Sequence, residues 1–384
     1  MPTTLLLFPP PQPARTESMA STAPPAARVH VQSPQTAVPT RAVEPGRARP
    51  IAVASPPLPA AALQRRTRVV LCYRARAAGL WEEAVWAKEA LSEAVADHPE
   101  MAGRLRRRGA GGSPAWEVKL NDAGVRFVQA AADATVEEFL RAAEEGGEDR
   151  ARWEAALAPW ADVNADDPDM CALFYLQLTR FQGDGGYAIG VSCSLLLCDP
   201  LSLASFLLSW ARTHAKLKAQ HQLATNPLMQ YAGYFQRPAA MAAPARAKPP
   251  IPAAAATAAE TVLFRARAAT AAPADHRALA AACVARAQAA GEEAPARFSL
   301  VVGAMAGVTV ETCAADGGGG GGGGQYELEV ARWQELGLEE LVLSDGKPVH
   351  VSCSIVLNAG DEGTVVVMPD GAAGEFLVAA AVPR

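Results

Sequence analysis

The chain has 384 residues, and half of them are hydrophobic, so it can bury a large core. The formal charge of −5 argues against a nucleic-acid binder, and no apolar run approaches the ~20 residues a membrane helix needs. Seven cysteines, an odd number without a CxxC pair or a Cys/His cluster, read as buried reduced thiols in a reducing compartment.

The charge is uneven. Residues 1–66 carry seven arginines against Glu17 and Glu44, or +5, which leaves −10 for the rest. This segment is dense in Pro, Ala, Ser and Thr and is expected to be a disordered tail. Its Arg-rich, acid-poor composition also fits an organellar transit peptide. "MPTTLLLF" is too short for a secretory signal core and has no basic segment before it.

Thr67 to Tyr73 reads as the first strand, and Leu80 to Asp97 as a helix with Trp81, Ala84, Val85, Leu91 and Val95 on one side. Asn121-Asp122-Ala123-Gly124 is a turn into a strand begun by Val125, Phe127 and Val128. Thr135 and Glu138 form a capping box, ahead of a helix face of Val136, Phe139, Leu140 and Ala143. Glu144 to Arg152 is a solvated charge run. Ala172 to Phe181 is a strong strand, and Gly183 to Gly186 turns the chain back.

Tyr187 to Ser194 is apolar or small throughout, which suits a strand covered on both faces. Asp199 can cap the helix that follows, and Pro200 fits its first position. Leu203, Phe206, Leu207, Trp210 and His214 recur at helical spacing. His214 and His221 read as surface or helix-face histidines rather than bases. Pro238 to Ala259, rich in Ala and Pro, reads as a linker.

Farther on, Thr261 to Ala266 and Phe298 to Val302 read as strands, and Asp275 to Ala290 as a helix. Glycine is unbroken from Gly317 to Gly324, but no Lys-Ser/Thr follows, so this is a flexible loop and not a phosphate cradle. Pro348 to Leu357, Thr364 to Met368 and Glu375 to Val382 are strand candidates.

Several of these segments resemble the plant BAHD acyltransferase family. "HPEMAGRL" (His98 to Leu105), "LNDAGVRFVQAAAD" (Leu120 to Asp133), "LQLTRF" and "GGYAIGVSCSLLLCDPLSLASFLLSWA" resemble its signature segments in order. The family places His-x-x-x-Asp-Gly between strand and helix, where this chain has Leu195, Leu196, Leu197, Cys198, Asp199 and Pro200. Its second motif, Asp-Phe-Gly-Trp-Gly, aligns with Val342, Leu343, Ser344, Asp345 and Gly346, of which only the glycine matches.

The resemblance implies an α/β, two-domain chloramphenicol-acetyltransferase-like fold of mixed sheets with flanking helices. The domains would be 67–237 and 260–384, the second shortened, joined by the linker 238–259. It also implies acyl transfer from an acyl-CoA thioester to an alcohol or amine, with no metal or other cofactor.

The family's base is the motif His. Leu195 has no lone pair, and losing general-base catalysis costs on the order of 10²–10⁴ in rate. Asp199 suits a structural cap better than a base, since an ordinary carboxylate pKa is about 4. Cys193, Cys198, Ser192 and Ser194 have no nearby His in sequence and read as packing residues. No catalytic residue is therefore assigned. Asp199 and Gly346 are structural motif positions, and Leu195, Leu196 and Leu197 are candidates to line an acyl-chain groove.

Within the family, "YAIGVSCSLLLCD" and "NAGDEGTVVVMP" look like the Eceriferum/Glossy group of cuticular-wax proteins. That resemblance implies a non-catalytic monomer that assists very-long-chain fatty acid elongation. Its partners would be acyl-CoA and the ketoacyl-CoA synthase of the elongase, and it would be cytoplasmic and held at the endoplasmic reticulum by that partner. The rival expectation is an acyl-CoA-dependent O- or N-acyltransferase working without the His.

Overall fold

In chain order, a computed structural model places β1 (Val29–Ala37), β2 (Ala48–Val53), α1 (Ala60–Gln64), β3 (Arg66–Tyr73) and α2 (Leu80–Asp97). Next come β4 (Arg104–Arg108), β5 (Ala115–Lys119), β6 (Val125–Ala132), α3 (Val136–Glu145) and α4 (Gly147–Leu157). The middle of the chain holds β7 (Phe174–Phe181), β8 (Tyr187–Ser194), α5 (Pro200–Leu223), β9 (Ala259–Ala268) and α6 (His276–Ala287). The remainder is β10 (Arg297–Ala304), β11 (Gly307–Ala314), β12 (Tyr326–Ala331), β13 (His350–Val356), β14 (Thr364–Pro369) and β15 (Glu375–Pro383). The structure describes residues 28–54, 56–74, 80–108, 115–183, 185–223, 259–268, 275–288, 295–304, 307–314, 326–343, 346–358, 360–369 and 374–383. The linker through residue 258, the polyglycine run, Ser344 and Asp345 lie outside the described residues, as do residues 1–27.

Among the described residues, the strands form two mixed sheets. One runs β1-β6-β7-β8-β3-β13, the other β12-β9-β15-β14-β10-β11-β2-β5-β4. In the first, β3 is antiparallel to both β8 and β13, while β6 and β7 are parallel. Alternation along β3 sorts its side chains. Val69, Leu71 and Tyr73 join the main core with α2 and α5, whereas Val70 and Cys72 face a smaller core under α3 and α4. The helix α6 covers the second sheet through Leu279, Ala280, Cys283 and Val284. No helix among the described residues is long and apolar enough to cross a membrane.

Three expectations change. The tail expected to be disordered carries β1 and β2. β1 pairs with β6, and β2 lies inside the larger sheet between β11 and β5. These strands are held by partners far along the chain, so their Pro- and Ser-rich local sequence concealed them. Nor do the sheets respect the expected boundary. β13 pairs with β3, and β2, β4 and β5 belong to the sheet built mainly from the second half. Finally, Val85 is not inward-facing, being 41% exposed.

The local chemistry of the first half behaves as its residues dictate. Thr135 Oγ1 accepts a hydrogen bond from Glu138 N (3.2 Å) and starts α3. The charge run is exposed but helical: Gly146, at φ 72°, separates α3 from α4, and Arg152 pairs with Glu148 and Asp149. All seven cysteines are free; five are buried, whereas Cys171 and Cys313 are half-buried.

Candidate functional site

The turn from β8 into α5 places the motif positions together. Leu195, Leu196 and Leu197 are 1%, 1% and 0% exposed and belong to the main core with Phe206 and Leu207. These candidates to line an acyl-chain groove are therefore core residues in this structure. The turn is tied from within: Leu196 N donates to Ser194 Oγ (3.2 Å), and Leu197 N to Ser194 O (2.9 Å).

It is also tied from outside. Arg49 on β2 donates through Nη2 to the carbonyls of Leu196 (3.2 Å) and Leu197. Leu195 N donates to Arg65 O (3.1 Å), and Arg65 grips Asp361 with Nε–Oδ2 at 2.8 Å and Nη2–Oδ1 at 2.6 Å. The Arg65 and Asp361 side chains are 5% and 1% exposed. Thus β2, Asp361 and the start of β3 clamp a turn that local sequence made look self-contained.

Asp199 is a cap. Its Oδ1 accepts from Ser202 N and its Oδ2 from Ser202 Oγ, both at 2.8 Å. Gly303 on β10 lies against the same carboxylate, since a Cβ built there would sit 2.7 Å from Oδ2. The site therefore lies where the two sheets meet, with Arg49 and Gly303 both contributed by the larger one.

Cys193 and Cys198 are buried with their Sγ atoms 3.6 Å apart, and Cys198 Sγ is 3.8 Å from Met101 Sδ. The hydrogen bond from Cys193, then burial, raises the Cys198 thiol well above its ordinary value, which Arg49 only partly opposes. A thiol so held is a poor nucleophile. Ser192 Oγ is engaged by Ala158 O at 2.9 Å.

The other candidates lie elsewhere. Gly346 has φ 104° and open space around it, on an exposed turn that Lys347 ties to Glu340 at 2.7 Å. Val342 is half-buried and Leu343 is buried. His214 is a correction to the surface reading: it is fully buried between α2 and α5, with Nε2 3.0 Å from Glu83 Oε1. The side chain of His221 lies outside the described ones.

The model of the Transferase family matches residues 63–273, more than half of the chain, and the chain belongs to that family. Plant acyltransferases, a BAHD acyltransferase of Arabidopsis thaliana among them, are similar to it, and its two mixed sheets with flanking helices make its architecture α/β. It is 35% identical over 117 residues to the protein ECERIFERUM 26-like of Arabidopsis thaliana, covering 30% of this chain and 25% of that one. It is 34% identical over 122 residues to agmatine hydroxycinnamoyltransferase 1 of Oryza sativa subsp. japonica, covering 32% and 24%. The match thus spans about a quarter of the length of these relatives. Vinorine synthase, a solved structure, aligns over 93% of this chain and 95% of its own with 14% identity and a TM-score of 0.43.

Proposed function

We propose that the chain is a non-catalytic acyltransferase homologue that assists very-long-chain fatty acid elongation for cuticular wax. The observation that carries this reading is the β8–α5 turn. The position aligned with the family's base is Leu195, buried and without a proton-accepting atom. The polar groups around it are already engaged: carbonyls by Arg49, the Asp199 carboxylate by Ser202, and the Cys198 thiol held protonated. The similarity to ECERIFERUM 26-like supports the wax connection. In this reading the partner is the ketoacyl-CoA synthase of the elongase, which brings the chain to the endoplasmic reticulum.

The test is co-expression of the full chain with a plant ketoacyl-CoA synthase in yeast, with acyl-chain lengths read by mass spectrometry. The expected result is longer chains than the synthase makes alone, unchanged by Asp199→Ala. Unchanged chain lengths, together with purified protein that transfers an acyl group from acyl-CoA to agmatine or an alcohol, would sink the proposal. The similarity to agmatine hydroxycinnamoyltransferase 1 makes agmatine the acceptor to try.

A further inference from the structure

Three arginines stand within four positions at the start of β3: Arg65, Arg66 and Arg68. Arg65 donates to Asp361 through two hydrogen bonds, and only its Nη1 is left without an acceptor among the described residues. Arg66 and Arg68 project to the other side of the strand, opposite Ser194 and Ser192 of β8. They are 1% and 6% exposed.

Neither is hydrogen-bonded to a carboxylate among the described residues. The Arg66 guanidinium lies over the Trp160 ring, 5.3 Å from its centroid. Its Nη1 donates to Gln64 O at 3.1 Å and reaches Asn358 Oδ1 at 3.4 Å. Arg66 Nε, Arg68 Nε and Trp160 Nε1 are buried and meet no acceptor among the described residues. Glu154 of α4 is the buried acid nearest in effect to Arg68, but it already accepts from Arg150 Nε at 2.9 Å. Asp162, the acid that Arg66 feels, is exposed.

The local inventory is therefore a surplus of donors and of positive charge. Burial, then repulsion from Arg68, pulls the Arg66 pKa down to about 9, and burial lowers that of Arg68. Buried charge is tolerated when a counter-charge and hydrogen bonds accompany it. A planar guanidinium fork and an indole N–H are donors suited to oxyanion oxygens.

We propose that Arg66, Arg68 and Trp160 form a buried site for one small inorganic oxyanion of the phosphate or sulfate type. With the arginines this deeply covered, a phosphate carried on a larger molecule is excluded, so the ligand is the free ion. Its place links it to the motif turn. Arg66 pairs with Ser194, whose Oγ accepts from Leu196 N, so an ion here stiffens the strand from which the turn departs.

The experiment uses the full chain purified in chloride, with equilibrium dialysis against radiolabelled inorganic phosphate and melting curves at constant ionic strength. One phosphate per chain is expected, displaced by sulfate, with a saturating Tm rise of about 2 °C at phosphate well above its Kd. Arg68→Met should abolish binding, and Trp160→Phe, which keeps a ring but removes the N–H, should weaken it roughly fivefold. Absence of bound phosphate would overturn the proposal. So would a Tm that climbs without saturation and equally in Arg68→Met, the behaviour of general salt exclusion. Should Arg68→Met fail to fold, Trp160→Phe decides by dialysis alone, since undiminished affinity refutes the site.

Discussion

The two sides of β3 are built on different plans. On one, Arg65 is closed by Asp361, Tyr73 OH donates to Leu341 O at 2.9 Å, and Tyr73 stacks on Tyr187 with centroids 4.5 Å apart. Val69 and Leu71 between them fill the main core. The other side carries Arg66 and Arg68 ahead of Val70 and Cys72, under α3, α4 and the segment after them. There the strand approaches bare backbone: a Cβ on Gly190, the β8 partner of Val70, would lie 2.0 Å from Leu157 O. Arg65 Nη1 and Thr67 Oγ1 lack partners on the first side too, but there the buried guanidinium faces a carboxylate, whereas on the second neither buried arginine bonds one among the described residues. One strand thus serves as a joint between sheets on one side and as a polar floor on the other.

The contrast can be broken most strongly at Asp361. Asp361→Asn keeps the shape but strips the counter-charge from a buried guanidinium, and should lower stability by about 3–5 kcal/mol in denaturant unfolding. A loss below about 1 kcal/mol would mean that Arg65 is no better satisfied than its neighbours. Gly190→Ala tests the opposite side. The added methyl meets a backbone oxygen, so overpacking should cost about 1–3 kcal/mol by the same measurement. An unchanged midpoint would show that the 157–160 segment yields freely.

The smallest effect is expected beyond the first side, where Glu83 of α2 lies 3.0 Å from His214 Nε2 and 2.8 Å from Lys218 Nζ on α5. Burial pushes the Glu83 carboxyl upward, but the close His214 ring and the hydrogen bonds from Lys218 outweigh it and leave the pKa below the ordinary 4.5. A depressed folded-state pKa contributes stability above the unfolded value and loses it as pH falls through the folded one. Glu83→Gln should therefore cost about 1–2 kcal/mol near neutral pH, less than a fully buried pair. The gap from the native chain should close progressively below about pH 4.5. A gap independent of pH would assign Glu83 a packing role only.

Much of the first half was legible because its signals are local. The strand Thr67–Tyr73, the Thr135 cap and the β8–turn–α5 unit with Asp199 ahead of Pro200 follow from residues within a few positions of one another. What escaped depends on partners remote in sequence. Arg49 lay in a stretch that composition marked as disordered, and only its place in β2 brings it to Leu196 and Leu197. Asp361 sits 296 positions from Arg65. Gly303 matters because a strand of the other sheet needs its missing side chain beside Asp199. His214 had the right helical spacing, but its polarity suggested solvent until Glu83 was found beside it.

The exchange of strands between the sheets has a consequence for biosynthesis. The β3 edge of the six-stranded sheet is closed only by β13, which the ribosome makes near the end of the chain. Until then, a fully buried strand of the finished protein stands with an open row of amides and carbonyls. Non-local pairing of this kind is slow and leaves nascent chains prone to association. The edge of β3 thus waits for a partner made far later in the chain, and the pairing with β13 is the latch that ends its exposure.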